Sequence, residues 1–179
     1  MRLSFRISLY FFFIFGSLGV FFFYFQIFLK DCGFSFAQIG AIQATFPLIA
    51  MVAAPTWGML ADSSSDPRWV LRTLLFFGPL SFVLLWFGRD FSVCLLLAAS
   101  LGIFFQPSIP IHDSLVLRSV HLHGGDYGAM RIWGSIGFTI PAFIIAMYWS
   151  KADGEAIDWT IPTVIFLGYS ILAVLASFW

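Results

Sequence analysis

Residues 106–138 read QPSIPIHDSLVLRSVHLHGGDYGAMRIWGSIGF, and their reading decides the fold. An apolar run carries Asp113 near its base, a short polar turn follows, and a second apolar run begins with Arg131. The midpoint between the two ions is Leu122, inside His121-Leu122-His123-Gly124-Gly125. A turn over residues 118–126 puts each ion about five residues inside its helix, or roughly 7 Å at ~1.5 Å per residue. Two antiparallel helices would then hold a carboxylate and a guanidinium level with each other. Charge at membrane depth is costly, and by default it marks a site facing a bundle interior or a watery cavity. The alternative is a structural ion pair that pins two helices together.

Outward from this stretch the chain is 60% hydrophobic, 20% aromatic and only 10% charged, with a mean hydropathy of +0.94. A soluble domain of this size cannot hide that much apolar surface, so the class is integral membrane, all-α. A spanning helix needs about 20 apolar residues. Six runs qualify, at about 7–29, 37–60, 69–88, 91–118, 127–149 and 160–179. The first is too long for a removable leader and lacks a small-residue cleavage site. The last ends inside an apolar run at Trp179, from which a continuation is expected.

Net charge is zero, but its distribution orients the chain. With the N-terminus inside, Arg2, Arg6, Arg68, Arg72, Arg118 and Arg131 fall on inner ends, and Lys30, Arg89 and Lys151 on outer ones. For a multi-pass protein, expected in the cell (inner) membrane, that bias predicts a cytoplasmic N-terminus. No basic patch suggests nucleic acid as a partner. Cys32 and Cys94 lie near outer helix ends and are expected to be unpaired, packed thiols.

Span 1 is aromatic on nearly all sides except a stripe of Gly16, Gly19, Phe23 and Gln26. Small residues at that spacing either let another backbone approach closely or leave room for a ligand. Span 2 carries Pro47 and Pro55 and ends in Gly58-Met59-Leu60-Ala61-Asp62. A tight inner turn follows, in which Gly58 permits close packing, Asp66 caps the next helix and Pro67 opens it. Spans 3 and 6 hold few polar residues and read as lipid-facing. Spans 1, 2, 4 and 5 hold the glutamines and buried ions, a division of roles that suits two inverted three-helix repeats. In span 4, Gln106 and Asp113 share a face, with Pro107 and Pro110 between them to kink or unwind the helix. Span 5 carries Arg131, Ser135, Phe138 and Ala142 on one stripe. A cation, a hydroxyl and a ring there suit an anionic or hydroxylated ligand with an apolar body; alternatively, Phe138 simply packs.

Catalytic readings fail on geometry. His112, Asp113 and Ser114 are adjacent on a helix and point about 100° apart, which forbids a relay. Gly134-Ser135-Ile136-Gly137 has no facing histidine. His121 and His123 lack an acid or cysteine at ligand spacing, so neither a metal nor a cofactor is called for.

Asp126-Tyr127-Gly128, followed by Arg131-Ile132-Trp133-Gly134-Ser135-Ile136-Gly137-Phe138, resembles the fifth-helix signature of the lactose-permease-like branch of the major facilitator superfamily. The likeness is greatest to its phenylpropionate-permease and related proton-symporter members. Pro107, Pro110 and Asp113 resemble the fourth helix of that branch, and Gly58, Leu60 and Asp62 its loop motif between helices 2 and 3. The resemblance covers essentially the whole chain and implies an N-terminal six-helix domain over residues 1–179. It also implies a missing C-terminal six-helix half as partner. Asp113 and Arg131 would stand where an acid and an arginine contact sugar, and Phe138 where a tryptophan stacks on it. The substrate wall would then comprise Asp113, Arg131, Phe138, Ser135, Gln106, Gln26 and Gly19, and the gating loop Gly58, Asp62 and Arg68. The smaller ring at Phe138 weakens a galactoside assignment. Ser63 and Ser65 also depart from the loop motif. The function implied is secondary active transport, by proton symport, of a small organic solute such as an aromatic acid. The alternatives are a non-transporting six-span scaffold and a self-pairing half-transporter.

Overall fold

A computed structural model describes residues 2–150 and 158–177, the side chain of Arg2 excepted. Lys151 and Trp179, which entered the charge and terminus readings, lie outside the described residues. Every regular element among the described residues is a helix: α1 (Arg2–Asp31), α2 (Phe36–Ser63), α3 (Arg68–Phe87), α4 (Phe91–Phe104), α5 (Ser108–His123), α6 (Tyr127–Trp149) and α7 (Thr160–Ala176). Helix is what an apolar chain must adopt in lipid, since each backbone group then finds its partner within the segment. Five helical stretches are long and apolar enough to cross a membrane, with α4 and α5 counted as one of 33 residues; α7 is apolar but shorter.

The break between α4 and α5 falls at residues 105–107, on Pro107, as the prolines of span 4 led one to expect. Elsewhere turn chemistry sets the ends. Ser35 and Gln38 form a reciprocal capping box at the start of α2. Asp90 accepts from the N–H groups of Ser92 and Val93 to start α4, and Asp126 from that of Ala129 to start α6. Asp66 takes the N–H of Arg68 at 3.2 Å, although Pro67 precedes α3 rather than opening it.

Two compact units compose the chain. The first joins residues 1–28 to 124–179 and so holds α1, α6 and α7; the second, residues 29–123, holds α2 to α5. In the first unit, glycines let backbones meet. A Cβ at Gly137 would collide with the carbonyl oxygen of Phe12, and one at Gly19 with that of Phe138. The ring of Tyr169 fills the space over Gly16. Ser17 and Ser170 share a buried hydrogen bond of 3.2 Å, and Tyr24 donates to the carbonyl of Ala142 at 2.5 Å. The second unit uses the same devices. Gly78 admits the backbone of Phe105, Gly102 that of Phe46, and the hydroxyls of Ser81 and Ser100 meet at 2.6 Å.

Two expectations change here. Span 3 was read as lipid-facing because it holds few polar residues and no charge after Arg72, yet α3 buries a whole face from Val70 to Trp86, while α2 is the more exposed helix. Absence of ions does not distinguish lipid contact from apolar packing. The polar turn is also shorter than 118–126, because α5 continues to His123 and leaves only residues 124–126 between helices. Gly124 and Gly125, at φ of 75° and 132°, make that turn in a region open to glycine. Asp113 therefore stands ten residues before the end of α5, about 15 Å. Arg131 lies four residues into α6, about 6 Å. The equal insertion drawn from the sequence does not hold.

Candidate functional site

In the first unit the site is built on Arg131. Its Cζ lies over the ring of Phe15 at 3.9 Å and over that of Phe11 at 5.3 Å. Phe11 is held in turn by Tyr127, edge-on at 6.1 Å. A guanidinium over a ring face is attracted by the ring's quadrupole, by about 2 kcal/mol where water is excluded. Gly134, one turn on, leaves room for it. A Cβ there would lie 2.6 Å from Nη1 of Arg131 and 3.1 Å from Cδ2 of Phe15.

Two turns further along α6, Phe138 contacts Phe22 and Phe23 of α1 at 6.1 and 5.4 Å between ring centroids. It shares an apolar hollow of about 460 Å³ with Phe23, Tyr24, Thr139, Ala142 and Phe143. Thr139 donates to the carbonyl of Ser135 at 3.1 Å and Tyr24 to that of Ala142, so the hydroxyls there are engaged with backbone and the hollow presents carbon. Ser135 and Gln26 are exposed. Gly19 serves close packing, one of the two roles its spacing allowed, because the backbone of Phe138 occupies the space a side chain would need.

The second unit carries Gln106, Asp113 and the loop residues. Asp113 and Gln106 are half-buried, the acid on α5 and the amide in the break before it. Gly58 and Asp62 line a cleft of about 430 Å³ with Pro55, Pro110, Ser114 and Arg118. No neighbour lies within 4 Å of a Cβ built on Gly58, so this glycine opens the cleft rather than closing a helix contact, a correction to its sequence reading. Arg68 is exposed and lies outside that lining. Arg118, which the sequence suggested as a loop cation, belongs to α5 and faces the same cleft as Asp62. His121 and His123 end α5 instead of lying in a loose turn, with Nδ1 of His123 at 3.2 Å from the carbonyl of Ser119. Among the described residues no cluster of histidine, cysteine and acid could hold a metal. Cys32 and Cys94 are unbonded thiols, the first accepting from Nη1 of Arg89 at 3.3 Å.

Apolar helices with large side chains outward, prolines tolerated inside them, and a cation held against the rings of another helix define a multi-pass α-helical membrane protein. The chain belongs to the MFS_1-like family, whose sequence model matches residues 4–179. It is 32% identical to maltose permease of Geobacillus stearothermophilus over 170 residues, covering 94% of this chain and 41% of that protein. It is 29% identical over 137 residues to the "Probable 3-phenylpropionic acid transporter" of Escherichia coli K12, covering 75% of this chain and 35% of the relative. The crystal structure of the nucleoside transporter NupG shares the fold at a TM-score of 0.78 and 19% identity, covering 99% of this chain and 44% of that one. The chain thus spans about two fifths of the maltose permease it matches. The family and the named relatives are permeases and transporters rather than enzymes.

Proposed function

We propose that these residues form the N-terminal half of a secondary active transporter for a small organic solute, coupled to protons and oriented with its N-terminus in the cytoplasm of an inner-membrane protein. The observation that supports it most is Arg131, a cation one turn inside α6 and resting on the rings of α1, on one stripe with Ser135 and Phe138. Arg131 would recognise a carboxylate or hydroxyl, Phe138 would pack on the apolar body, and Gln106, Gln26 and Ser135 would offer polar contacts. Asp113 would carry the coupling proton, since its carboxyl can be neutralised at membrane depth. The cleft of Gly58 and Asp62 would open and close as this half rocks against a second six-helix bundle. That bundle would also cover apolar residues such as Met51 and Val52 of α2, which are 73% and 74% exposed here.

An aromatic or other organic acid is the preferred solute. A glycoside is the second reading, favoured by the likeness to maltose permease. The test is uptake by the full-length protein, as its gene encodes it, reconstituted in liposomes with an inward proton gradient. Competition between 3-phenylpropionate and maltose separates the solute classes. Asp113→Asn should abolish gradient-driven uptake; undiminished uptake would remove Asp113 from the mechanism.

A further inference from the structure

Phe15 is an apolar residue in a helix with rings on nearly every side, and the sequence gives no reason to single it out. Its ring nevertheless lies 3.9 Å beneath the guanidinium carbon of Arg131, while Phe11 stands further off at 5.3 Å. Beside both, Gly134 leaves the space a side chain would fill, since a Cβ there would meet Nη1 at 2.6 Å and Cδ2 of Phe15 at 3.1 Å. Guanidinium, ring and glycine thus form one packed unit. A long flexible side chain is held in place before any solute arrives.

The chemistry of the contact decides what it is suited to. A phenyl ring attracts the cation through its quadrupole but has no lone pair to accept a conventional hydrogen bond. A carboxylate in that place would take the N–H fork itself. A ring holds the charge in place and leaves the donors to be used. We infer that Phe15 and Gly134 are positioning residues for Arg131, forming a cradle that presents its N–H edge to a planar oxyanion, the carboxylate of the transported solute. Pre-ordering the side chain removes part of the entropy cost of binding. The inference rests on the proposed role of Arg131 in solute recognition and extends it to residues outside the stripe.

The experiment has two arms on the full-length protein in detergent. The first needs no solute: the Nε–H resonance of Arg131, assigned by its loss in Arg131→Lys, should be shifted upfield by the ring beneath it. The shift should vanish in Phe15→Leu and persist in Phe15→Trp. An unshifted resonance in the wild type would overturn the cradle. The second arm measures binding of 3-phenylpropionate and of its neutral primary amide. Phe15→Leu should bind the acid about tenfold more weakly, leave the amide unchanged within error, and be rescued by Phe15→Trp. Gly134→Ala should weaken the acid selectively in the same way. Equal losses for acid and amide, or no rescue by tryptophan, would reduce Phe15 to a packing residue and overturn the inference. A shifted resonance with no binding of either probe would refute the carboxylate assignment and the acid-solute reading while the ring geometry stood.

Discussion

Replacing Gly137 by alanine adds one methyl group where the fold has no space for it. The built Cβ lies 2.7 Å from the carbonyl carbon of Phe12 and collides with its oxygen, and both are backbone atoms that cannot swing aside. Bringing that carbon alone to an ordinary 3.4 Å contact would part α1 and α6 by roughly 0.7 Å, the difference of the two distances, and the nearer oxygen demands more. Overpacking of this kind costs about 1–3 kcal/mol. For a chain of this size, about 2 kcal/mol lowers the melting temperature by roughly 4–8 °C. Gly40 of α2 is the internal control, with nothing within 4 Å of its built Cβ. Gly40→Ala should therefore gain about 0.5–1 kcal/mol from helix propensity alone. Thermal unfolding followed by tryptophan fluorescence in one detergent measures both variants. The reasoning is refuted if Gly137→Ala melts within about 1 °C of the wild type, or if both substitutions shift the midpoint in the same direction by the same amount.

Two further predictions concern groups outside the spans. Burial pushes the thiol of Cys32 up, the charge of Arg89 opposes it, Asp31 adds to the rise, and the hydrogen bond from Arg89 opposes it again. Because the thiolate is the reactive form, maleimide labelling of Cys32 should be slower at neutral pH than for a free cysteine and should climb only above the ordinary thiol range. Arg89→Gln removes the opposing influence and should move that profile to still higher pH; a shift to lower pH would contradict the assignment. Asp158 is held below the usual carboxylate range by the backbone N–H and then the hydroxyl of Thr160. Its NMR titration midpoint should rise part of the way in Thr160→Ala, which keeps the backbone donor. No change would show that the hydroxyl does not contribute.

Five of the six expected spans return as helices long and apolar enough to cross, because apolar runs of that length cut by short polar turns allow few other readings, while the last run forms the 17-residue α7. Pro107 announced the break in the fourth of them. The stripe of Arg131, Ser135 and Phe138 followed from spacing alone. What spacing could not show is which ring of α1 lies beneath Arg131. With phenylalanine at positions 11, 12, 13 and 15, every face of that helix offers a ring, so Phe15 carried no signal. The end of α5 was misplaced for a related reason. Histidines beside two glycines read as a polar loop, although the last turn of a helix can carry them with the glycines ending it. Asp62 and Arg118 were noted separately, as motif and as charge count, but only folding places them around one cleft.

The interruption at residues 105–107 sets a constraint of its own. The 14 residues of α4 and the 16 of α5 extend about 21 and 24 Å, and neither alone crosses a hydrocarbon layer of about 30 Å. The seam must therefore lie at hydrocarbon depth, where its backbone groups need partners from the protein itself or from a watery cavity. The carbonyl of Phe105 takes the N–H of Ser108 at 3.1 Å, and the hydroxyl of the same fully buried residue adds a second donor at 2.6 Å. The seam is therefore stitched rather than loose: the N–H groups of Phe105 and Gln106 both reach the carbonyl of Leu101, so bending the two rods there would cost bonds already made.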